Sequence, residues 1–372
     1  LQKKKKMKYI YLSLISCLIF ACGSSSDPIQ NVDNYNRTNI LTNLTENIII
    51  PSHKNLQSKI TDLKISATDF TTTQNNSNLS ALRNAWKEAY ISWQHVEMYD
   101  LGKAEEIDYI KSMNTYPCNV TVITQNILSE NYDLSLANGL SWSSQGLPTL
   151  DYMLYGLDTD SNNILSYYTG DNGVKHLNYL NSIINKMETT TNTVTESWEA
   201  NKNTFISLNG NTATSSLNLL TNDFIYYYEK GLRANKIGIP CGRWDNYNIY
   251  EKGVEAYYRK DLSKRLAQEA IFTCQQFFSG IGINTGISGE SYIEYLYNIT
   301  GDNSLSSSII NQLTIAEQKI DNLDNNFILQ MTTDNSPMIE TYDELQRVVV
   351  LLKTDMLISL EITVDYLDAD GD

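Results

Sequence analysis

Apolar residues recur at helical spacing along most of the chain. Within GLPTLDYMLYG (146–156), the leucines 147, 150 and 154 recur at i, i+3 and i+7, which is one face of a helix. Runs of alternating valine and aromatic residues, the usual sign of strands, are nearly absent. Similar periodic segments predict helices at about 79–101, 173–202, 213–236, 250–278, 304–326 and 339–366, with a further helix opened by Pro51. We therefore predict an all-α fold of two antiparallel helical bundles in series, residues 38–205 and 206–372.

The apolar stripe of GLPTLDYMLYG also contains a carboxylate. Asp151 lies four residues after Leu147 and three before Leu154, on the same helix face. Burying an unpaired charge is costly, so this group needs a partner, a metal ion, a proton or water. A salt bridge to Arg233, Lys236 or Arg243, or a hydrogen bond to a neighbouring loop, would meet that need without any ligand.

A second amphipathic segment, ALRNAWKEAYISWQHVEMYDLG, ends in acids. Steps of about 100° per residue from Trp93 place an apolar stripe that Glu97 and Asp100 continue. His95 falls on the opposite side, so we expect it at the surface. The alternative for the two acids is that the stripe has simply ended and both carboxylates face water.

These two segments together predict a binding pocket between the bundles. We expect its lining to include Gly146, Pro148, Asp151, Glu97, Asp100 and Trp93. Asp151 and Glu97 are the candidate metal ligands, because carboxylate oxygens suit hard cations such as iron(III), calcium or magnesium. An organic or chelated ligand between tyrosine and tryptophan walls is the other option.

The N-terminal residues LQKKKKMKYIYLSLISCLIFACGSSSD are typical of a secretion signal. Lysines precede an apolar run at 9–20 that is too short to span a bilayer, and the box at 19–22 resembles a lipoprotein cleavage site. We predict a lipoprotein signal peptide at 1–21, lipidation of Cys22 and a flexible tether at 22–37. An ordinary cleaved signal is the alternative. The expected location is the cell envelope, as a periplasmic or outer-membrane lipoprotein anchored through Cys22.

The charge and the cysteine content of the chain argue against two kinds of binding site. Without residues 1–21 the chain has 23 basic and 43 acidic residues, which argues against binding nucleic acid by charge. Cys118, Cys241 and Cys274 form no CxxC pair, so a thiolate zinc site is not expected. An oxidising compartment would allow one disulfide among them.

Several segments in order resemble the imelysin family of bacterial envelope proteins. They cover about residues 40–372 and comprise IIIPSHKNLQSKITDL, LRNAWKEAYISWQHVEMYDLG, QGLPTLDYMLYG, YYYEKGLRANKIGIPCG and VDYLDADGD. The resemblance implies an all-helical protein with a pocket between two bundles, lined by a Gly-x-His-x-x-Glu motif. Gly146 matches the glycine, Pro148 stands at the histidine position and Asp151 stands at the glutamate position. The absence of that histidine argues against the hypothesis of a metallopeptidase, because catalytic zinc usually has histidine among its three protein ligands.

Three functional hypotheses follow. The first is an imelysin-like envelope lipoprotein that binds a divalent metal, iron or an iron-related ligand in the pocket, with other envelope uptake proteins as candidate partners. The second is a metal-dependent endopeptidase, since some members of the family are classed as peptidases. The third is a non-catalytic structural or protein-interaction module in which Asp151 only holds the bundles together.

Overall fold

The computed structural model describes residue 33, residues 35–160 and residues 162–366. The predicted signal peptide, Cys22 and most of the predicted tether lie outside these residues. Among the described residues no helix is both long and apolar enough to cross a membrane. The helices are α1 (37–72), α2 (Asn76–Trp93), α3 (Lys103–Glu106), α4 (Tyr109–Asn114), α5 (Val120–Ser129), α6 (Gly139–Trp142), α7 (146–156), α8 (Ile164–Thr169), α9 (Gly173–Ser207), α10 (216–238), α11 (Ser263–Phe278), α12 (Tyr292–Thr300), α13 (Ser304–Asp321), α14 (Phe327–Thr333) and α15 (336–359).

The described part of the chain is mainly helical and contains no strand, which confirms the predicted all-α class. Buried apolar side chains repeat along each long helix at the spacing that the sequence pattern predicted, as on α1 at Leu56, Ile60 and Leu63.

Helices α1, α2 and α9 form the first group of antiparallel helices. The amide of Gln57 on α1 donates to Asn192 on α9 at 2.9 Å, and the amide of Asn181 donates to Thr71 at 3.0 Å. Residue numbers fall along α9 as they rise along α1, so the two helices run in opposite directions. The short connection between α1 and α2 makes that pair antiparallel as well.

Helices α10, α11, α13 and α15 form the second group. Gln268 on α11 contacts Asp321 on α13 at 2.6 Å, while Gln275 contacts Glu317 at 2.9 Å, again with opposite chain directions. The Lys319–Glu340 pair at 2.8 Å joins α13 to α15. The predicted boundary after residue 205 falls two residues before the end of α9 and stays a prediction.

The beginning of α1 reaches the second group. The ring of Tyr35 stacks on Tyr295 of α12 at 4.4 Å, and the guanidinium of Arg37 donates to the Tyr295 hydroxyl at 2.7 Å. Residues 35–37, which the predicted tether includes, are thus packed against α12. The chain from Tyr35 onward forms one compact unit.

Several helices begin or end away from their predicted positions. The predicted helix at 79–101 ends at Trp93, and the predicted helix at 250–278 begins only at Ser263. Pro51 stands in the first turn of the α-helical part Ile50–Thr72 of α1, as predicted, but helical turns already run through residues 37–49 before it. The turns that directly precede this part, Leu44–Ile49, are π-helical.

Candidate functional site

A cavity of about 430 Å³ lies where the 116–121 segment, α7 and the segment joining α10 to α11 meet. We call it the central cavity. It combines tyrosine rings, small apolar groups and a few polar side chains, which is the usual composition of a ligand site. Its walls are Tyr116, Pro117, Cys118, Asn119, Val120, Thr121, Ser143, Pro148, Asp151, Lys252, Val254, Ala256, Tyr257 and Tyr258.

The start of α7 explains how two predicted residues reach this cavity. Gly146 has φ of +76°, and a Cβ there would collide with the main chain of Ser112 and Met113, so only glycine allows the close approach of α4. Pro148 follows in the first turn, where a helix needs no N–H donor. Asp151 then faces the cavity just before the π-helical turns Tyr152–Gly156, a distortion often found at functional sites.

Asp151 is held by a loop. Its two carboxylate oxygens accept the main-chain N–H groups of Tyr258 and Arg259 at 2.8 and 2.9 Å. Burial raises the pKa of Asp151 to about 7, although both amides and the Arg259 charge act in the opposite direction. Of the options open from the sequence, a hydrogen bond to a neighbouring loop is therefore the one the structure contains.

Glu97 belongs to a buried charge network beside the cavity. Lys236 donates to Glu255 at 2.6 Å and to Glu97 at 3.3 Å, and Asn114 donates to the same two carboxylates at 2.8 and 2.6 Å. Tyr90 completes the network by donating to the Asn114 side-chain oxygen at 2.7 Å. The side chain of Lys236 thus occupies the position between Glu97 and Glu255 that a cation would take.

The charge of Lys236 is strongly stabilised. Burial by itself lowers the pKa of this lysine, but attraction to Glu255 and Glu97 outweighs burial and leaves the pKa above its ordinary value. Glu255 lies between Val254 and Ala256, which both line the central cavity. The network therefore forms the support behind one cavity wall.

Tyr116 connects this network electrostatically with the cavity. Burial raises the pKa of the Tyr116 hydroxyl well above its ordinary value, and Glu255 and Glu97 raise it further. The same two acids and Asp151 also contribute to the raised pKa of Tyr90, after burial. Glu97 and Asp151 are thus both buried and both act on Tyr90, although each has its own hydrogen-bond partners.

The other predicted pocket residues lie outside the cavity lining. Trp93 is fully buried, with its ring edge-on to Tyr109 at 5.2 Å. Asp100 is only half-buried, and its charged neighbours are Glu105, Lys111 and Asp108. Burial, followed by the charge of Glu105, raises the pKa of Asp100 to about 6. Asp100 is accordingly part of a separate acidic cluster.

The prediction that His95 lies at the surface is wrong. His95 is 7% exposed, and its Nε2 atom lies 2.8 Å from a carboxylate oxygen of Glu269 on α11. The helical wheel failed here because α2 ends at Trp93 and residues 94–98 continue as turns, so the step of 100° no longer applies. Glu97, which the wheel places on the inward stripe, is 7% exposed and therefore buried as predicted.

The described residues provide no preformed metal site. No group of three or more His, Cys, Asp and Glu side chains there is arranged to hold a metal ion. Cys118, Cys241 and Cys274 are free thiols, so the disulfide that the predicted compartment would allow is not formed among them. A ligand in the central cavity would instead meet hydroxyl groups, the Lys252 ammonium and main-chain groups.

Sequence reasoning missed the residues that complete the site. Glu255, Lys252 and Tyr258 lie before α11 in residues 250–262, where the periodic pattern predicts an α-helix but the structure has a short 3₁₀ turn at Glu251–Gly253 followed by irregular chain. Asn114 carries no signal of its own, because an asparagine at a helix end is usually a capping residue. The sequence offers Lys236 as a partner for Asp151, whereas the structure pairs this lysine with Glu97 and Glu255.

Comparisons with known proteins identify the family to which the chain belongs. The sequence profile of the imelysin family matches residues 49–354. The chain has no match among curated proteins.

Two solved structures share the fold. An imelysin-like protein from Psychrobacter arcticum 273-4 is 19% identical, with a TM-score of 0.69 over 89% of this chain and 97% of that chain. An iron-regulated protein A precursor from Parabacteroides distasonis ATCC 8503 is 15% identical, with a TM-score of 0.65 over 86% of this chain and 95% of that chain. The chain therefore belongs to the imelysin family.

Proposed function

We propose that the protein is an envelope lipoprotein that binds a metal ion or an iron-related ligand in the central cavity. The observation that carries this proposal is the convergence of Pro148 and Asp151 with the 252–258 segment on one cavity of about 430 Å³. These two residues stand at the motif positions of the family. The description of the Parabacteroides relative as iron-regulated supports an iron-related role.

Within this proposal, a chelated metal fits the site better than a bare ion. Glu97 already pairs with Lys236, and both oxygens of Asp151 already accept main-chain N–H groups. In a chelate, most of the atoms that coordinate the metal belong to the chelating molecule. The protein then has to supply only hydrogen bonds and charge around the chelate. Lys252 and the tyrosines 116, 257 and 258 offer these, with Lys252 attracting an anionic chelate such as ferric citrate.

Calorimetric titration tests the site. Protein lacking residues 1–21, with Cys22→Ser, is titrated with ferric citrate, with citrate and with free calcium. We expect saturable binding of ferric citrate that Asp151→Ala and Lys252→Ala weaken, whereas Lys54→Ala, at an exposed ion pair with Glu199, leaves it unchanged. If Asp151→Ala and Glu97→Ala alter none of the affinities, the proposed site is wrong. Tight calcium binding lost in both variants would favour a bare-ion site.

The lipid anchor has its own test. Cells expressing the full chain are fed labelled palmitate, and the purified protein is examined for the label. We expect incorporation that Cys22→Ser abolishes, because that thiol would carry the lipid. Labelling that survives Cys22→Ser would remove the anchor from the proposal.

One observation favours the structural alternative. The two N–H bonds of Asp151 tie the α10–α11 segment to α7, which is what a purely structural carboxylate would do. In that case Asp151→Ala lowers thermal stability while no probe binds the wild type. No contact among the described residues favours the endopeptidase alternative. Cleavage of an unfolded protein that is sensitive to a chelator and lost in Asp151→Asn would establish it.

A further inference from the structure

An exposed aromatic turn lies between α10 and the cavity wall. Among the described residues five aromatic side chains are largely exposed, and three of them, Trp244, Tyr247 and Tyr250, occur within seven residues. Their exposed fractions are 47, 48 and 44%. We call these three rings the aromatic shelf. Such a concentration of exposed aromatic surface is unusual away from a binding site.

Each ring of the shelf rests on a fixed support. A Cβ on Gly238 would lie 2.6 Å from the Trp244 ring, and a Cβ on Gly253 would lie 2.7 Å from the Tyr250 ring, so both rings pack directly on glycine backbone. The hydroxyl of Tyr247 accepts a hydrogen bond from Arg243 at 2.6 Å. The rings are therefore supported from the protein side and open toward solvent.

The backbone beneath the shelf is also constrained. Gly242 accepts the N–H groups of Asp245 and Tyr247 at 2.9 Å, and Pro240 accepts that of Tyr250 at 2.8 Å. Tyr247 has φ of +62°, an uncommon conformation for a bulky residue. Strain of this kind persists where the surroundings impose it and is concentrated at functional sites. The backbone strain at Tyr247 is thus a cost of this turn conformation, in which the three rings are exposed.

The chemistry between the rings indicates what they bind. Exposed Asp245, Asn246 and Asn248 lie between the aromatic residues along the chain, with exposed Ile249 beside Tyr250, so hydrogen-bonding groups are interspersed with the apolar side chains. Residues 243–252 contain two basic and two acidic residues, although the whole chain has a formal charge of −15. A neutral ligand with alternating apolar faces and hydroxyl groups matches this arrangement. The centre of a protein interface is depleted of charged residues, whereas Asp245 lies between Trp244 and Tyr247 along the chain.

We propose that the aromatic shelf binds a neutral oligosaccharide. The C–H faces of successive pyranose rings would pack on Trp244, Tyr247 and Tyr250, while sugar hydroxyls bond to the Asp and Asn side chains between them. The shelf is continuous in sequence with Lys252 and Val254 of the cavity wall, but its ligand is independent of the cavity ligand.

Tryptophan fluorescence and calorimetry with a panel of neutral hexasaccharides, α- and β-linked glucose, mannose and N-acetylglucosamine, test the proposal. We expect at least one to bind with Kd below about 1 mM and to change the emission of Trp244. Trp244→Ala should weaken that binding roughly tenfold or more, and Tyr250→Ala should weaken it as well. The matched control is Tyr297→Ala, an equally exposed tyrosine on α12, which should have no effect.

Two results would overturn the proposal. The first is that no hexasaccharide binds the wild type below about 1 mM while circular dichroism shows it folded. The second is that binding occurs but is equal in Trp244→Ala, Tyr250→Ala and wild type. If no sugar binds and a purified envelope protein binds the wild type but not Trp244→Ala, the shelf is a protein-docking surface instead.

Discussion

Asp151, in the wall of the central cavity, and Lys236, in the charge network beside it, are both fully buried ionisable groups, and their surroundings affect them differently. Lys236 faces two carboxylates, and its pKa lies above the ordinary value. Asp151 faces two main-chain N–H groups, with the Arg259 charge as an additional attraction, and its pKa rises to about 7. Two direct opposite charges outweigh the cost of burial for Lys236, whereas the surroundings of Asp151 do not.

The charge network and Asp151 therefore have different roles in the ligand pocket. The Glu97–Lys236–Glu255 network keeps its charges and supports the cavity wall from behind. Asp151 lies in the wall itself and is close to the point where it gains or loses a proton at neutral pH. We therefore expect the network to govern stability and Asp151 to govern the response of the pocket to pH and ligand.

The largest expected effect is that of Lys236→Met. The substitution keeps the approximate volume of the side chain but leaves two buried carboxylates without their counter-ion, so unfolding in urea should show a loss of about 3–5 kcal/mol. Lys54→Met is the matched control, because its ion pair with Glu199 is exposed and should contribute no more than about 1 kcal/mol. Equal losses in the two variants would mean that the buried network is not a charge network.

A smaller effect should appear in the dependence of stability on pH. The pKa of Asp151 is raised in the folded state, so its contribution to stability is fully present below the unfolded pKa of about 4 and is lost as pH rises through about 7. We expect the free energy of unfolding to fall by on the order of 3 kcal/mol from this group between pH 4 and 8. Urea titrations at several pH values measure it.

The control for that pH effect is Asp151→Asn, which cannot ionise. Its unfolding free energy should lack this part of the pH dependence, while the contributions of other acids remain. Identical pH profiles in the variant and the wild type would show that Asp151 titrates in its ordinary range, and the contrast with Lys236 would disappear.

A local effect is expected at the segment that Asp151 holds. In Asp151→Ala the N–H groups of Tyr258 and Arg259 lose their acceptors, so local opening should become easier by about 1–3 kcal/mol. Hydrogen exchange at these two amides should accelerate accordingly, whereas exchange in the middle of α9 stays unchanged. Uniform acceleration throughout the protein would indicate global destabilisation instead.

The smallest effect is expected for Tyr90→Phe. The substitution removes a neutral hydrogen bond to Asn114 without exposing a charge, and it should cost about 1 kcal/mol in urea unfolding. A loss as large as that of Lys236→Met would mean that the phenol, rather than the ammonium, holds the network together.

How much of the site could be predicted depended on how regular the chain is around each residue. The apolar stripe around Asp151 is part of a helix, so its burial could be predicted from spacing alone. His95 follows the end of α2, where the periodic argument stops, and its predicted exposure was wrong. Glu255 and Tyr258 lie in an irregular segment stabilised by long-range contacts, which leave no periodic trace in the sequence.

The sequence by itself determined the all-α class, the apolar faces of the long helices, the family and the need of Asp151 for a partner. These follow from local spacing and from the cost of burying charge, which act on neighbouring residues. Only the tertiary structure decided which partner each buried charge received, because Asp151 meets the N–H groups of residues more than a hundred positions away and Lys236 meets Glu97 across a similar distance along the chain. Which groups come together across such separations depends on how the helices pack, and packing is a property of the whole fold.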